Sequence, residues 1–124
     1  MSFPRWRAAG LALTVLAAAP AAALAHPRLV SSTPAAQSRT PPVAAVELRF
    51  SEALEPRFST LTIAREAAGG PVAIEAATAT AASDPKTLVA RPKAPLAPGA
   101  YRVHWRVTSV DTHHIEGDFA FTVK

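Results

Sequence analysis

The stretch Pro98-Gly99-Ala100-Tyr101-Arg102-Val103-His104-Trp105-Arg106-Val107 decides how the rest of the chain is read. A turn pair opens it. Tyr101, Val103, Trp105 and Val107 then point one way, and Arg102, His104 and Arg106 the other. A period of two describes a strand with one dry face and one wet face, as in antiparallel sheets. Outward from this stretch the pattern recurs. Val46, Leu48 and Phe50 alternate with Glu47 and Arg49, Leu61 and Ile63 with Thr60, Thr62 and Ala64, and Phe119, Phe121 and Val123 close the chain. Val72 and Ile74 follow the turn signal Gly69-Gly70-Pro71, and residues 87–90 form a short β-rich run between Asp84-Pro85 and Pro92. No stretch carries a long helical stripe. Residues 76–82, rich in alanine and threonine, could form a turn of helix, which Thr78 and Thr80 weaken. The expected fold is all-β, a small Greek-key sandwich (cupredoxin-like or immunoglobulin-like) of about seven strands. Trp105, Phe50, Phe119 and Phe121 are expected at its centre.

The chain has 124 residues, 49% of them hydrophobic, which suits one domain and not two. Cysteine is absent, so disulfides, thiolate metal sites and cysteine nucleophiles are excluded. Residues 1–25 read as a secretory signal. Arg5 and Arg7 precede an apolar run of 12 residues at positions 8–19; Pro20 breaks the helix, and Ala23-Leu24-Ala25 fits a cleavage site. Cleavage there leaves 99 of the 124 residues, a domain spanning 26–124 that begins at His26. It also removes Arg5 and Arg7, leaving 11 basic and 9 acidic side chains, a net of +2, with no basic run or stripe. Such a surface is ordinarily solvated, and nucleic acid is not an expected partner.

Four histidines remain: His26, His104, His113 and His114. At a processed terminus, His26 offers an α-amine and an imidazole to one metal ion, and the amine titrates near neutrality, at roughly 7.7–8.0. Pro27 follows and has no amide N–H, so a metal held there must find its other ligands elsewhere in the fold. Asp111 and His113 lie two apart just after the best strand. In extended chain they share a side at about 6.5–7 Å between α-carbons, close enough to converge on one ion. His114 projects the opposite way. Imidazole, amine and carboxylate donors suit tetragonal Cu(II), and the only methionine, Met1, leaves with the leader, so no thioether site for Cu(I) survives.

At these residues the chain resembles the CopC family of periplasmic copper-resistance proteins. The likeness is carried by His26-Pro-Arg-Leu-Val-Ser-Ser-Thr-Pro, Glu47-Leu-Arg-Phe-Ser-Glu-Ala-Leu, Asp84-Pro-Lys-Thr, Leu96-Ala-Pro-Gly-Ala-Tyr-Arg-Val, and Asp111-Thr-His with Phe119-Ala-Phe-Thr-Val. It implies a cupredoxin-like sandwich binding Cu(II) through the terminal His26, Asp111 and His113. Glu52 matches a carboxylate that supports this site. The implied role is copper carriage, buffering or donation in copper resistance and homeostasis. An inner-membrane transporter of the CopD type, or other periplasmic copper proteins, are the implied partners of a monomer. Two departures stand out. Residues 64–82 hold neither the Met nor the His of the Cu(I) loop found in some relatives, and His114 stands where the family commonly has Pro. This extra ring could compete for metal, help transfer it, or be a plain surface residue.

Each residue also has an ordinary reading. His26 could be a loose chain end, Asp111 a turn former, and Glu52 a surface carboxylate. His104, between two arginines on the wet face, is expected simply to face solvent. The leading expectation is a Cu(II)-binding protein without catalytic residues, taking one ion per chain. The alternative is a histidine-brace copper monooxygenase, since a terminal His plus a second His resembles that centre. A metal-free adhesion module is the third reading.

Overall fold

The computed structural model describes Ser2 and residues 27–124; His26 and most of the expected leader lie outside the described residues. Nine strands follow in order: β1 (Leu29–Thr33), β2 (Arg39–Thr40), β3 (Val46–Phe50), β4 (Thr60–Arg65), β5 (Val72–Ile74), β6 (Ala76–Ala81), β7 (Asp84–Pro92), β8 (Gly99–Thr108) and β9 (His114–Val123). A single 3-10 turn, Pro56–Phe58, precedes β4. One sheet has the order β1-β3-β7-β6 and the other β2-β9-β8-β4-β5. All pairings are antiparallel except that of β2 with β9.

The all-β sandwich is as expected, and its core follows the alternation. Val46, Leu48 and Phe50 from one sheet meet Tyr101, Val103, Trp105, Val107, Phe119, Phe121 and Val123 from the other. Trp105 packs edge-on to Phe50 at 6.3 Å and tilted against Phe119 at 5.9 Å, and Tyr101 stacks on Phe121 at 5.5 Å. Tyr101 keeps its hydroxyl satisfied by donating to the Ala97 carbonyl at 2.6 Å.

Three details differ from the expectation. Residues 76–81 form strand β6 and not a helical turn: pairing with the inner strand β7 outweighs the weak helical preference of an Ala/Thr segment. Strand β7 runs through Asp84-Pro85 and Pro92 and does not stop at them. Its ladder to β3 spans only Thr87 to Ala90, so both prolines fall where β7 has no β3 partner to donate to. The count of nine exceeds the about seven expected of a sandwich this size because β2 and β5, at sheet edges, have only 2 and 3 residues.

Gly117 faces Trp105 across the β8–β9 ladder, and a β-carbon there would stand 2.4 Å from Trp105 Cζ2. The indole lies over bare backbone. Gly117→Ala is therefore expected to lower unfolding free energy by about 1–3 kcal/mol in urea denaturation, as overpacking does. A variant as stable as the parent would contradict this packing.

Candidate metal site

At one pole of the sandwich several chain segments are laced together by backbone hydrogen bonds. Strand β3 ends at Phe50, and residues 51–55 run beside the turn joining β8 to β9. Leu54 bridges Ser109, the Val110 amide donates to Ala53 O at 3.1 Å, and the Glu55 amide donates to Thr108 O at 2.8 Å. The Leu54 amide donates to Pro85 O at 2.9 Å, drawing in the start of β7. The beginning of the described chain is tied to the same pole. Pro27 is fully buried, the Arg28 amide donates to Ser51 Oγ at 3.1 Å, and the Ser51 amide donates to Arg28 O at 2.9 Å.

The β8–β9 turn is a three-residue loop. The Ser109 amide donates to His113 O, and the Thr112 amide to Ser109 O, both at 2.9 Å. Thr112 has φ 71°, the left-handed region, where this loop type ordinarily places glycine. A β-branched residue in that region stores strain, on the order of 1–3 kcal/mol. Asp111 and His113 flank it, both exposed. The sequence carried only one signal of this tight turn, the turn-forming Asp111, since the loop lacks Gly, Asn and Pro. Ser51 was likewise missed, and its only signal is its place between the end of β3 and Glu52.

The pole thus gathers three of the expected residues: Asp111 and His113 on the turn, and Glu52 on the segment beside it. His26, bonded to Pro27, lies outside the described residues. Among the described residues, no three His, Cys, Asp or Glu side chains come together as a metal site. One observation nevertheless fits a cation at this pole. Glu52 is half-buried, and its Oε2 is buried without a hydrogen-bond partner among the described residues. A buried carboxylate oxygen left unmatched is costly, and a cation bound beside it would satisfy it. Carboxylate and imidazole donors together suit a divalent transition-metal ion.

The two other histidines stand apart. His104 is exposed, opposite Asp118 on the wet face of the five-stranded sheet, as expected. His114 opens β9 opposite Thr108, and its Nδ1 lies 3.0 Å from the Thr108 hydroxyl. Elsewhere on the surface Asp84 lies near Arg49, and Arg102 pairs with Glu66 and Asp118. The Thr87 hydroxyl, then the Lys86 amide and more weakly Arg49, hold the Asp84 carboxyl below its ordinary value. Asp118, then Glu66, raise the affinity of the Arg102 guanidinium for its proton.

The CopC domain profile matches residues 29–124, almost the whole described chain. The chain belongs to the CopC family. It is 43% identical over 127 residues to copper resistance protein C of Pseudomonas syringae pv. tomato, covering 99% of this chain and 95% of that one. Against copper resistance protein C of Escherichia coli the figure is 42% over 107 residues, covering 82% and 84%. Among solved structures, PcoC, a methionine-rich copper resistance protein from Escherichia coli, superposes with a TM-score of 0.75 at 42% identity, covering 81% of this chain and all of that one. CopC from Methylosinus trichosporium OB3b gives 0.70 at 32%, covering 80% and 94%.

Glycine adopts the left-handed conformation without strain, so Thr112→Gly is expected to keep or raise the thermal midpoint. A variant that melts clearly earlier than the parent would contradict a strained threonine at this turn.

Proposed function

We propose that this CopC-family protein is a periplasmic Cu(II) carrier, buffer or donor in copper resistance. In this reading residues 1–25 are a cleaved leader, and one Cu(II) is held by the amine and imidazole of His26 with Asp111 and His113. The observation that carries the reading is the anchoring of Pro27 and Arg28 beside Ser51 and Glu52, on the pole that bears the Asp111–His113 turn. The residue bonded to Pro27 is His26, so a processed terminus begins where the carboxylate and imidazole are already presented. Glu52, with its unmatched buried oxygen, would face the cationic centre and orient its ligands.

The oxidation state follows from donor chemistry. One relative's structure is described as methionine-rich, whereas this chain has a single Met, at position 1. Once the leader is gone no soft sulfur donor remains, and nitrogen with carboxylate oxygen favours Cu(II). Carriage is preferred to oxidative catalysis for two reasons. Asp111 would fill a coordination position that an oxygen-activating copper centre keeps open. Among the described residues Phe58 is also the one exposed aromatic side chain, too little for a platform that binds polysaccharide. An inner-membrane transporter of the CopD type, or another periplasmic copper protein, is the proposed recipient.

The test uses secreted protein whose mass fixes the first residue as His26, and a copy with one glycine ahead of it. Cu(II) titration should give one tight equivalent for the first. For the extended copy, affinity should fall at least as far as loss of a supporting partner lowers it, roughly 10–100-fold. His113→Ala should weaken binding more than His104→Ala. Equal affinity for both termini would contradict the proposal.

A further inference from the structure

His114 is one of two histidines that the candidate site does not use, and its surroundings specify more than a surface ring. The Thr108 hydroxyl touches two partners: the Phe58 carbonyl oxygen at 3.3 Å and His114 Nδ1 at 3.0 Å. A hydroxyl has one proton and can donate only once. The carbonyl can only accept, so both contacts are satisfied when Thr108 donates to Phe58 O and His114 Nδ1–H donates to Thr108. That arrangement leaves the proton on Nδ1 and the lone pair on Nε2, the reverse of the tautomer a solvated neutral histidine favours. Fixing one ring nitrogen as a donor, so that the other can coordinate, is how proteins prepare histidine for a metal.

The ring opens onto a groove of about 680 Å³ on the wet face of the five-stranded sheet, lined in part by Phe58, Thr112, Arg106 and Glu116. His114 and Glu116 are two apart on β9 and so share this face at about 6.5–7 Å between α-carbons. The Glu116 carboxylate is bound to Arg106 Nε at 3.1 Å, but both side chains are mostly exposed, and such pairs are weak and easily exchanged. Thr112 belongs both to this groove and to the turn carrying Asp111 and His113, so the groove adjoins the candidate site without sharing its ligands.

We propose that His114 Nε2 and the Glu116 carboxylate form a second, exchangeable site for a divalent metal ion on the outer face of β9. With two protein donors and water completing the shell, it binds more weakly than a site with three or four. It serves as a landing position next to the turn, in a groove that Asp111 and His113 do not line. Binding there requires neither a processed N-terminus nor Asp111 and His113.

The experiment uses the protein as secreted, with Cu(II) alone as the probe, in the parent and in a His26→Ala/Asp111→Ala/His113→Ala triple variant, which removes every imidazole and carboxylate of the proposed tight site. Nitrogen NMR of the metal-free parent should show His114 protonated at Nδ1 and bare at Nε2, and Thr108→Val should release that preference. Titration of the triple variant should retain a weak equivalent that His114→Ala abolishes and Thr108→Val weakens by roughly tenfold, as loss of an orienting partner does. Glu116→Gln should weaken it as well. A proton on Nε2 in the metal-free protein would overturn the proposal. So would a weak equivalent that survives His114→Ala unchanged, or its absence from the triple variant. Loss of the tight equivalent in the parent bears instead on His26, Asp111 and His113, so the two readings fail separately.

Discussion

The reciprocal hydrogen bonds between Arg28 and Ser51, with Pro27 buried beside them, are the constraint on which the function of this fold depends. Without them the chain leading into β1 would be an ordinary loose end, and the turn after β8 would carry an isolated carboxylate and imidazole. With them, the segment before β1, the segment after β3 and the β8–β9 turn occupy one pole. The bonds are individually modest, about 1 kcal/mol each by general experience. Their effect is geometric: they hold the segment before β1 at the pole that carries residues 51–55 and the β8–β9 turn.

The core and most strands were legible because burial imposes a period of two that few alternatives can mimic. Tyr101, Val103, Trp105 and Val107, and Phe119, Phe121 and Val123, sit in the core by the parity read from their neighbours. Less legible were segments whose state is set by what pairs with them. Strand β6 is alanine and threonine and takes its conformation from β7. Strand β2 is 2 residues held in parallel to the end of β9. Pro85 and Pro92 read as boundaries because the sequence cannot show which face of a strand lacks a hydrogen-bonding neighbour.

The residues of the candidate site were legible in the sequence, and the scaffolding that brings Asp111, His113 and Glu52 to one pole was not. Asp111 and His113 stood out by spacing and by likeness to the CopC family, and that family is shown by profile and by solved relatives. What holds them is different in kind: a strained threonine at φ 71°, a serine hydroxyl accepting from the Arg28 amide, and a bridge between Leu54 and Ser109. None of these has a composition signature, since each is a backbone event that exists only once two distant segments meet. His114 shows the converse. Its identity was plain, but only its contact with Thr108 gives the ring a direction and a tautomer.

The most direct measurement is a map of paramagnetic broadening as one equivalent of Cu(II) is added to nitrogen-labelled, secreted protein. If copper binds at this pole, amide signals of Arg28, Glu52, Ala53, Asp111, Thr112 and His113 vanish together, while those of Lys93, Ala94 and Gly99 at the far end of the sandwich stay sharp. Broadening centred on His104, or leaving Arg28 and Glu52 untouched while the turn residues disappear, would contradict a copper ion held between the chain's start and the β8–β9 turn.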